Sequence, residues 1–199
     1  MAKNGIEGVV CNLCGAGSAK VIERHAGRNV VRCDGCGLIF LHPLPDMSSL
    51  EDHYDHNYFK PWIEDQRVQR ENLWARRLAF VERFLQKGSL LDVGCGDGSF
   101  LGAAKQHGWR VSGTELSAWA CKHVGAKYDV PVVRGELVST EFMAGAPFDV
   151  ITMWHVLEHM PDPLGNLRRA ASMLGRNSVL IVEVPNVNDW LFRAAYLIV

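Results

Sequence analysis

Leu90-Leu91-Asp92-Val93-Gly94-Cys95-Gly96-Asp97-Gly98-Ser99-Phe100 joins a short apolar run to three glycines at alternate positions. Residues 90–93 read as a buried parallel strand. Gly94, Gly96 and Gly98 read as a tight turn into a helix carrying Phe100 and Leu101. Glycine is needed where backbone approaches a ligand closely or takes φ > 0, and the helix start beyond offers unpaired N–H groups to a carboxylate or phosphate. The expectation is a ligand site at Gly94, Cys95, Gly96 and Gly98, with Cys95 a small buried filler and not a nucleophile. A ligand-free strand-to-helix turn is the plain alternative.

Two ligand classes fit such a turn. A dinucleotide site spaces its glycines G-x-G-x-x-G, whereas this chain has G-x-G-x-G. Asp92 also stands two residues before the first glycine, where it repels a pyrophosphate and attracts an ammonium. Glu115 closes a second strand-like segment, residues 110–114, and its carboxylate can accept both hydroxyls of a ribose. An amino acid joined to a nucleoside is S-adenosylmethionine.

The chain resembles the class I S-adenosylmethionine-dependent methyltransferases through LLDVGCGDGSFL, VSGTELS and FDVITMWHVLEHMPDP, in that order, over roughly residues 68–190. The resemblance implies an α/β, Rossmann-like, doubly wound and mostly parallel sheet. It places Leu116 beside Glu115 at the cofactor, Glu136 and Leu137 near the adenine, and Trp154 and His155 at the methionine end. For Glu136 a solvated loop carboxylate stays open. A nicotinamide oxidoreductase shares such a fold, but the G-x-x-G continuation and a Tyr-Lys pair are missing.

Length and charge agree with a small-molecule enzyme. The chain has 199 residues, with 21 Lys plus Arg against 22 Asp plus Glu, so no basic field argues for nucleic acid. No apolar run approaches a membrane span or a signal peptide, and a cytoplasmic protein is expected. Four of six cysteines form two C-x-x-C pairs, which in a reducing compartment point to metal before disulfides.

Those pairs, Cys11 with Cys14 and Cys33 with Cys36, are separated by eighteen residues, and Gly15 and Gly37 follow them. Four thiolates at this spacing predict a tetrahedral zinc site that is structural, since no coordination position stays open for water. Iron, or an empty or disulfide-bonded pair of knuckles, are the alternatives. Residues 20–23 and 29–32 read as two strands turning at Gly27, a ribbon, followed by a strand-like run at 38–41 that Pro43 and Pro45 stop. The expected divisions are a zinc ribbon over 1–42, a linker or lid over 43–65 and a methyltransferase core over 66–199.

Residues 52–59 pack two histidines and three aromatics before Pro61. In relatives from sugar and polysaccharide pathways a cysteine-rich ribbon is followed by a Tyr-rich segment that covers the cofactor. This stretch is expected to be a lid or substrate wall, or else a packed linker, with His53 and His56 at the surface. Residues 67–86 read as a helix whose apolar face is Trp74, Leu78, Val81 and Leu85, with Arg70, Arg76 and Arg77 on a solvated face. Five strands follow, at 90–93, 110–114, 131–134, 148–154 and 178–184, with helices at 100–107, 119–124 and 164–174. Right-handed crossovers put the first strand in the centre and the ligand at the carboxyl ends.

His155-x-x-Glu158-His159 also matches an inverted zinc-protease motif, although Pro161 and Pro163 follow too soon for a long helix. In the resembling family this loop sometimes binds a divalent ion. His155, Glu158 and His159 are therefore candidate catalytic residues, with His155 a candidate general base. Their alternative is capping and packing of the loop.

The expected function is methyl transfer to a small molecule, with a nucleotide-linked sugar as the leading acceptor and a non-catalytic or partner-completed scaffold as the rival. The family's sheet normally has seven strands, and after Pro185-Asn186 only residues 187–199 remain, enough for one apolar helix. A shortened core, an open edge on the fifth strand, self-association through this end and weak turnover are the corresponding expectations.

Overall fold

The computed structural model describes residues 5–25, 27–44, 54, 56–138 and 146–186. The N-terminal sheet is antiparallel, in the order β1 (Gly5–Glu7), β2 (Ser18–His25), β3 (Arg28–Cys33) and β4 (Ile39–His42). The two-stranded ribbon is thus widened on both sides, with the run around Phe40 pairing to β3. Its inner face alternates as a half-buried strand should: Val9, Ala19 and Val31 are buried, with Val21 and Phe40 packed on them. A register shift between Val21 and Glu23 leaves Ile22 exposed. Three fully buried apolar side chains are a small core, so this sheet depends on its cysteines.

Two helices lead into the main sheet. The first, α1 (His56–Glu64), contains Pro61. Proline forfeits a hydrogen bond inside a helix, and from the sequence this stretch reads as a lid or linker without a helix. Tertiary packing prevails, because Phe59 is 2% exposed and stacks on Trp119 at 5.6 Å. The second, α2 (Arg67–Val81), is shorter than its periodicity predicts. Past Val81 the chain tightens to i→i−3 bonds, Arg83 N–H to the Phe80 carbonyl and Phe84 N–H to that of Val81. Trp74, Leu78 and Val81 are buried as expected, but so is Arg77.

The main sheet is wholly parallel, in the order β7 (Val132–Arg134), β6 (Arg110–Glu115), β5 (Ser89–Val93), β8 (Phe148–Trp154) and β9 (Leu174–Glu183). The helices α3 (Ser99–Gln106), α4 (Ala118–Tyr128) and α5 (Pro163–Met173) run between strands. Every residue of β5 is buried, as a central strand covered on both faces requires. Leu90 and Val150 pack with Trp74, Leu78, Phe100 and Leu101 on one face. Leu91, Val93, Ile151 and Met153 pack with Ala170 and Met173 on the other. Fully burying each such side chain is worth about 1.5–3 kcal/mol.

Local chemistry sets the helix boundaries. Ser117 caps α4 by accepting from Ala120 N–H at 3.2 Å, and Asp162 caps α5 by accepting from Gly165 N–H at 2.8 Å, with Pro163 in the first turn. Among the described residues β9 is paired on one side only, and no helix is long and apolar enough to cross a membrane. The apolar helix expected over 187–199, and His53, lie outside the described residues.

Asp149 fastens the amino ends of β5 and β8. Its Oδ2 accepts from Ser89 N–H at 2.7 Å and from Ser89 Oγ at 2.9 Å. The Ser89 backbone and hydroxyl bonds hold its carboxyl below the ordinary 3.8, against burial. A lowered carboxylate pKa contributes stability that is present above the unfolded value and lost as pH falls through the folded one. Asp149→Ala is therefore expected to cost about 1.5–3 kcal/mol in urea denaturation at neutral pH, with the gap closing below about pH 4.

Candidate functional site

A cavity of about 470 Å³ opens at the carboxyl ends of the parallel strands, where open α/β sheets bind ligands. The glycine turn forms its floor. Gly94 and Cys95 donate their N–H groups to the Thr114 carbonyl at 2.8 and 3.0 Å, which pins the turn to β6. Gly94 has φ 68°, and a Cβ there would lie 2.4 Å from Val156 Cγ2, so only glycine fits. Gly94, Cys95 and Gly96 line the cavity. Gly98 does not: it starts α3 at φ 73°, and a Cβ there would meet Val124 at 2.6 Å, so it serves helix packing. Burial pushes the Cys95 thiol well up, which agrees with a filler and not a nucleophile.

Asp92 and Glu115 stand at the ends of the neighbouring strands β5 and β6, and both line the cavity. Asp92 is 2% exposed, and its Oδ1 accepts from Thr152 Oγ at 2.7 Å. Burial pushes its carboxyl up to about 7, with the Thr152 bond and the charge of Arg77 pulling the other way. Glu115 accepts three backbone N–H groups: Gly96 on Oε2 at 2.8 Å, and Leu116 and Ser117 on Oε1 at 2.8 and 3.0 Å. Burial raises it too, with those bonds opposing. Leu116 lines the cavity beside it.

Glu136, after β7, also faces the cavity, and burial raises its carboxyl. Its neighbour Leu137 is fully buried in the core behind and does not line the cavity. Asn166, absent from the sequence expectations, fixes this corner. Fully buried on α5, it accepts from Val138 N–H at 3.3 Å and donates to the Asp162 carbonyl at 2.9 Å, tying the loops after β7 and β8 together.

At the end of β8, Trp154, His155 and His159 line the cavity. His155 sits at φ 55°, a left-handed conformation uncommon for a non-glycine residue. Its Nε2 is 2.8 Å from Glu183 Oε1 and its Nδ1 is 3.5 Å from Glu158 Oε1. Glu158 flanks the cavity without lining it, 4.0 Å from His159 Nε2. The segment is a three-residue 3₁₀ turn, Leu157–His159, so the one-turn helical spacing that the zinc-protease motif needs is not formed. Among the described residues the four cysteines are the one cluster of metal-ligating groups, and His155, Glu158 and His159 do not make another.

Arg70 and Arg77 correct the reading of α2 as a helix with a solvated basic face. Both line the cavity. Arg70 Nη2 is 2.8 Å from Asp97 Oδ1 in the glycine turn. Arg77 makes a two-pronged bond to Glu183, with Nε 3.1 Å from Oε2. Its guanidinium lies between two indoles, 4.8 Å from the centres of Trp74 and Trp154. Burial would raise the Glu183 carboxyl, but Arg77 and His155 outweigh it and hold it below the usual range. Glu183 is the other residue the sequence reading missed, although it closes its strand as Asp92 and Glu115 approach the ends of theirs.

Tyr54, Tyr58 and Phe59 form another wall of the cavity. Tyr54 meets Tyr58 edge-on at 4.9 Å, and Tyr58 meets Phe59 edge-on at 5.1 Å. His56 is exposed and packs against Trp119 at 5.0 Å, away from the wall.

The four cysteine sulfurs all lie within 4.8 Å of one another, with 3.7 Å from Cys11 to Cys36 and 3.5 Å from Cys14 to Cys33. A tetrahedron of 2.3 Å metal–sulfur bonds has edges of about 3.8 Å, so the cluster fits a metal, whereas bonded sulfurs would stand about 2 Å apart. The Cys36 and Gly35 N–H groups point at Cys33 Sγ, and its thiol is lowered to about 6, chiefly by the Cys36 bond. Asn12, inside the first knuckle, donates to the Pro161 carbonyl at 3.1 Å and links the ribbon to the loop carrying His159 and Met160.

Residues 66–197 match the family model of a methyltransferase domain. Among curated proteins, the ubiquinone biosynthesis O-methyltransferase of Bordetella avium is 34% identical over 131 residues, covering 62% of this chain and 52% of the relative. That of Idiomarina loihiensis is 30% identical over 127 residues, covering 58% and 51%. The chain thus spans about half the length of these relatives. Among solved structures, a SAM dependent methyltransferase from Archaeoglobus fulgidus is 25% identical with a TM-score of 0.57, covering 73% of this chain and 65% of that one. The magnesium protoporphyrin IX methyltransferase of Synechocystis with bound SAH is 19% identical with a TM-score of 0.62, covering 77% and 78%, a likeness of fold. The match to the family model runs from α2 past the end of β9, across all the strands that build the cavity, and the chain belongs to the methyltransferase domain family.

Proposed function

We propose that the chain is an S-adenosylmethionine-dependent methyltransferase acting on a hydroxyl group of a small molecule. The observation that carries this is the pair of buried carboxylates, Asp92 and Glu115, at adjacent strand ends on either side of a glycine turn. The names of the curated relatives support an oxygen acceptor. A nucleotide-linked sugar is the acceptor we favour, on the pairing of a four-cysteine ribbon with the Tyr-rich wall.

In this reading S-adenosylmethionine brings a methyl group on a sulfonium, and the chain supplies alignment. Asp92 takes the ammonium on the oxygen that Thr152 leaves free. Glu115 takes the ribose; three of its roughly four acceptor positions already hold backbone N–H groups, so one hydroxyl enters without disturbing the turn. Glu136 faces the adenine amino group. Tyr54, Tyr58 and Phe59 keep water out. Holding donor and acceptor in line is worth about 7–11 kcal/mol of barrier.

The four cysteines hold one structural zinc ion, because four protein ligands leave no position for water or substrate. Elemental analysis is expected to find one zinc per chain and its loss in Cys33→Ser; full occupancy in that variant would exclude the assignment.

Calorimetry with S-adenosylhomocysteine, which keeps both polar ends, tests the cofactor site. Asp92→Ala and Glu115→Ala should each weaken binding by about 1.5–3 kcal/mol, and unchanged affinity in both would sink the reading. Because the Asp92 carboxyl is pushed up to about 7, the free protein holds a proton there that the unfolded chain has lost above 3.8. Its ionisation thus lowers stability as pH rises through that window, and a bound ammonium offsets the cost. Affinity is expected to climb from pH 6 and level off above about 7 in the wild type, and to stay flat in Asp92→Asn. A scaffold would bind the ligand yet methylate nothing in a panel of sugar nucleotides and phenols.

A further inference from the structure

Glu183 grips His155 twice. Its backbone carbonyl accepts the His155 N–H at 2.8 Å, and its Oε1 lies 2.8 Å from Nε2 of the ring. These bonds fix a residue whose φ of 55° needs outside support, and they fix it at the cavity wall. The same carboxylate is anchored by Arg77, which the two indoles of Trp74 and Trp154 hold in place. A carboxylate bonded to one imidazole nitrogen determines which nitrogen carries the proton.

We infer that Glu183 is a positioning residue for methyl transfer, keeping the His155 proton on Nε2 so that Nδ1 is the ring nitrogen that receives the acceptor's proton. The inference rests on the methyltransferase reading. In the step, the acceptor oxygen bonds to the methyl carbon and the carbon–sulfur bond breaks, leaving its electron pair on sulfur. The hydroxyl proton passes to Nδ1. Glu158, 3.5 Å from Nδ1, then stabilises the proton there, and Glu183 stabilises the charge from the other side. Arg77 balances Glu183, so that the pair adds orientation without a net charge on the wall.

Nitrogen-15 NMR of the histidine side chains of the full chain reads the tautomer directly, with Asn at position 155 (His155→Asn) assigning the signals. The wild type is expected to show the proton of the neutral His155 tautomer on Nε2, and Glu183→Gln to show a mixture of both tautomers, with S-adenosylhomocysteine affinity within about twofold of wild type. A mere counterion to Arg77 would leave the tautomer untouched in Glu183→Gln. Since that variant leaves Arg77 buried without its carboxylate, Arg77→Met/Glu183→Gln carries the same measurement if the single variant fails to fold. A proton on Nδ1 in the wild type, or an unchanged tautomer in the folded variant, overturns the inference. Failure of the wild type to bind S-adenosylhomocysteine removes the cofactor reading instead, and leaves the tautomer result standing.

Discussion

The Glu115 carboxylate holds the cavity together. Burying a carboxylate costs several kcal/mol, and it is tolerated only where its oxygens are satisfied. Here three backbone N–H groups do so, one from the glycine turn after β5 and two from the turn that starts α4. At about 1.5–3 kcal/mol each, such charge-assisted bonds are of the size needed to offset the burial. Two loops that would otherwise leave unpaired donors beside a cavity are thereby locked to one side chain. The shape of the glycine turn follows from this bond as much as from glycine's freedom.

Much of this could be read from the sequence because the sheet is buried on both faces. Continuous apolar runs such as Leu90-Leu91 and Val150-Ile151 have no amphipathic reading, and the glycines from Gly94 and the polar His155 marked the ends of those two strands. The same logic failed where one residue type had two roles. Residues 43–65 read as a linker or lid, yet Phe59 packing against Trp119 holds a helix, α1, through Pro61. Arg70 and Arg77 argued for a solvated face, because periodicity assigns charges to water and does not see their partners Asp97 and Glu183, which lie far along the chain. Asn166 gave no signal at all, since one partner is the backbone of its own helix cap and the others, Val138 N–H and the Glu136 carboxylate, come from a loop distant in sequence.

The ribbon and the parallel sheet were expected to be separate assemblies, and the buried residues of the ribbon form a cluster of their own. Asn12 nevertheless joins them. It stands between Cys11 and Cys14 in the sequence, and its amide donates to the Pro161 carbonyl in the loop after β8. From Asp162, the next residue, the carbonyl meets Asn166, and Asn166 meets the loop after β7. The ribbon is thus linked to Glu136 through Asn12, the Pro161–Asp162 backbone and Asn166.

The stacking of Arg77 between Trp74 and Trp154 has an optical consequence. Both rings line the cavity and both lie 4.8 Å from the same cation, whose field shifts the excited-state charge distribution of an indole. A molecule entering the cavity changes the polarity beside each ring. The emission of Trp74 and Trp154 is therefore a label-free gauge of occupancy built into the wall, read above the background of the chain's four other tryptophans.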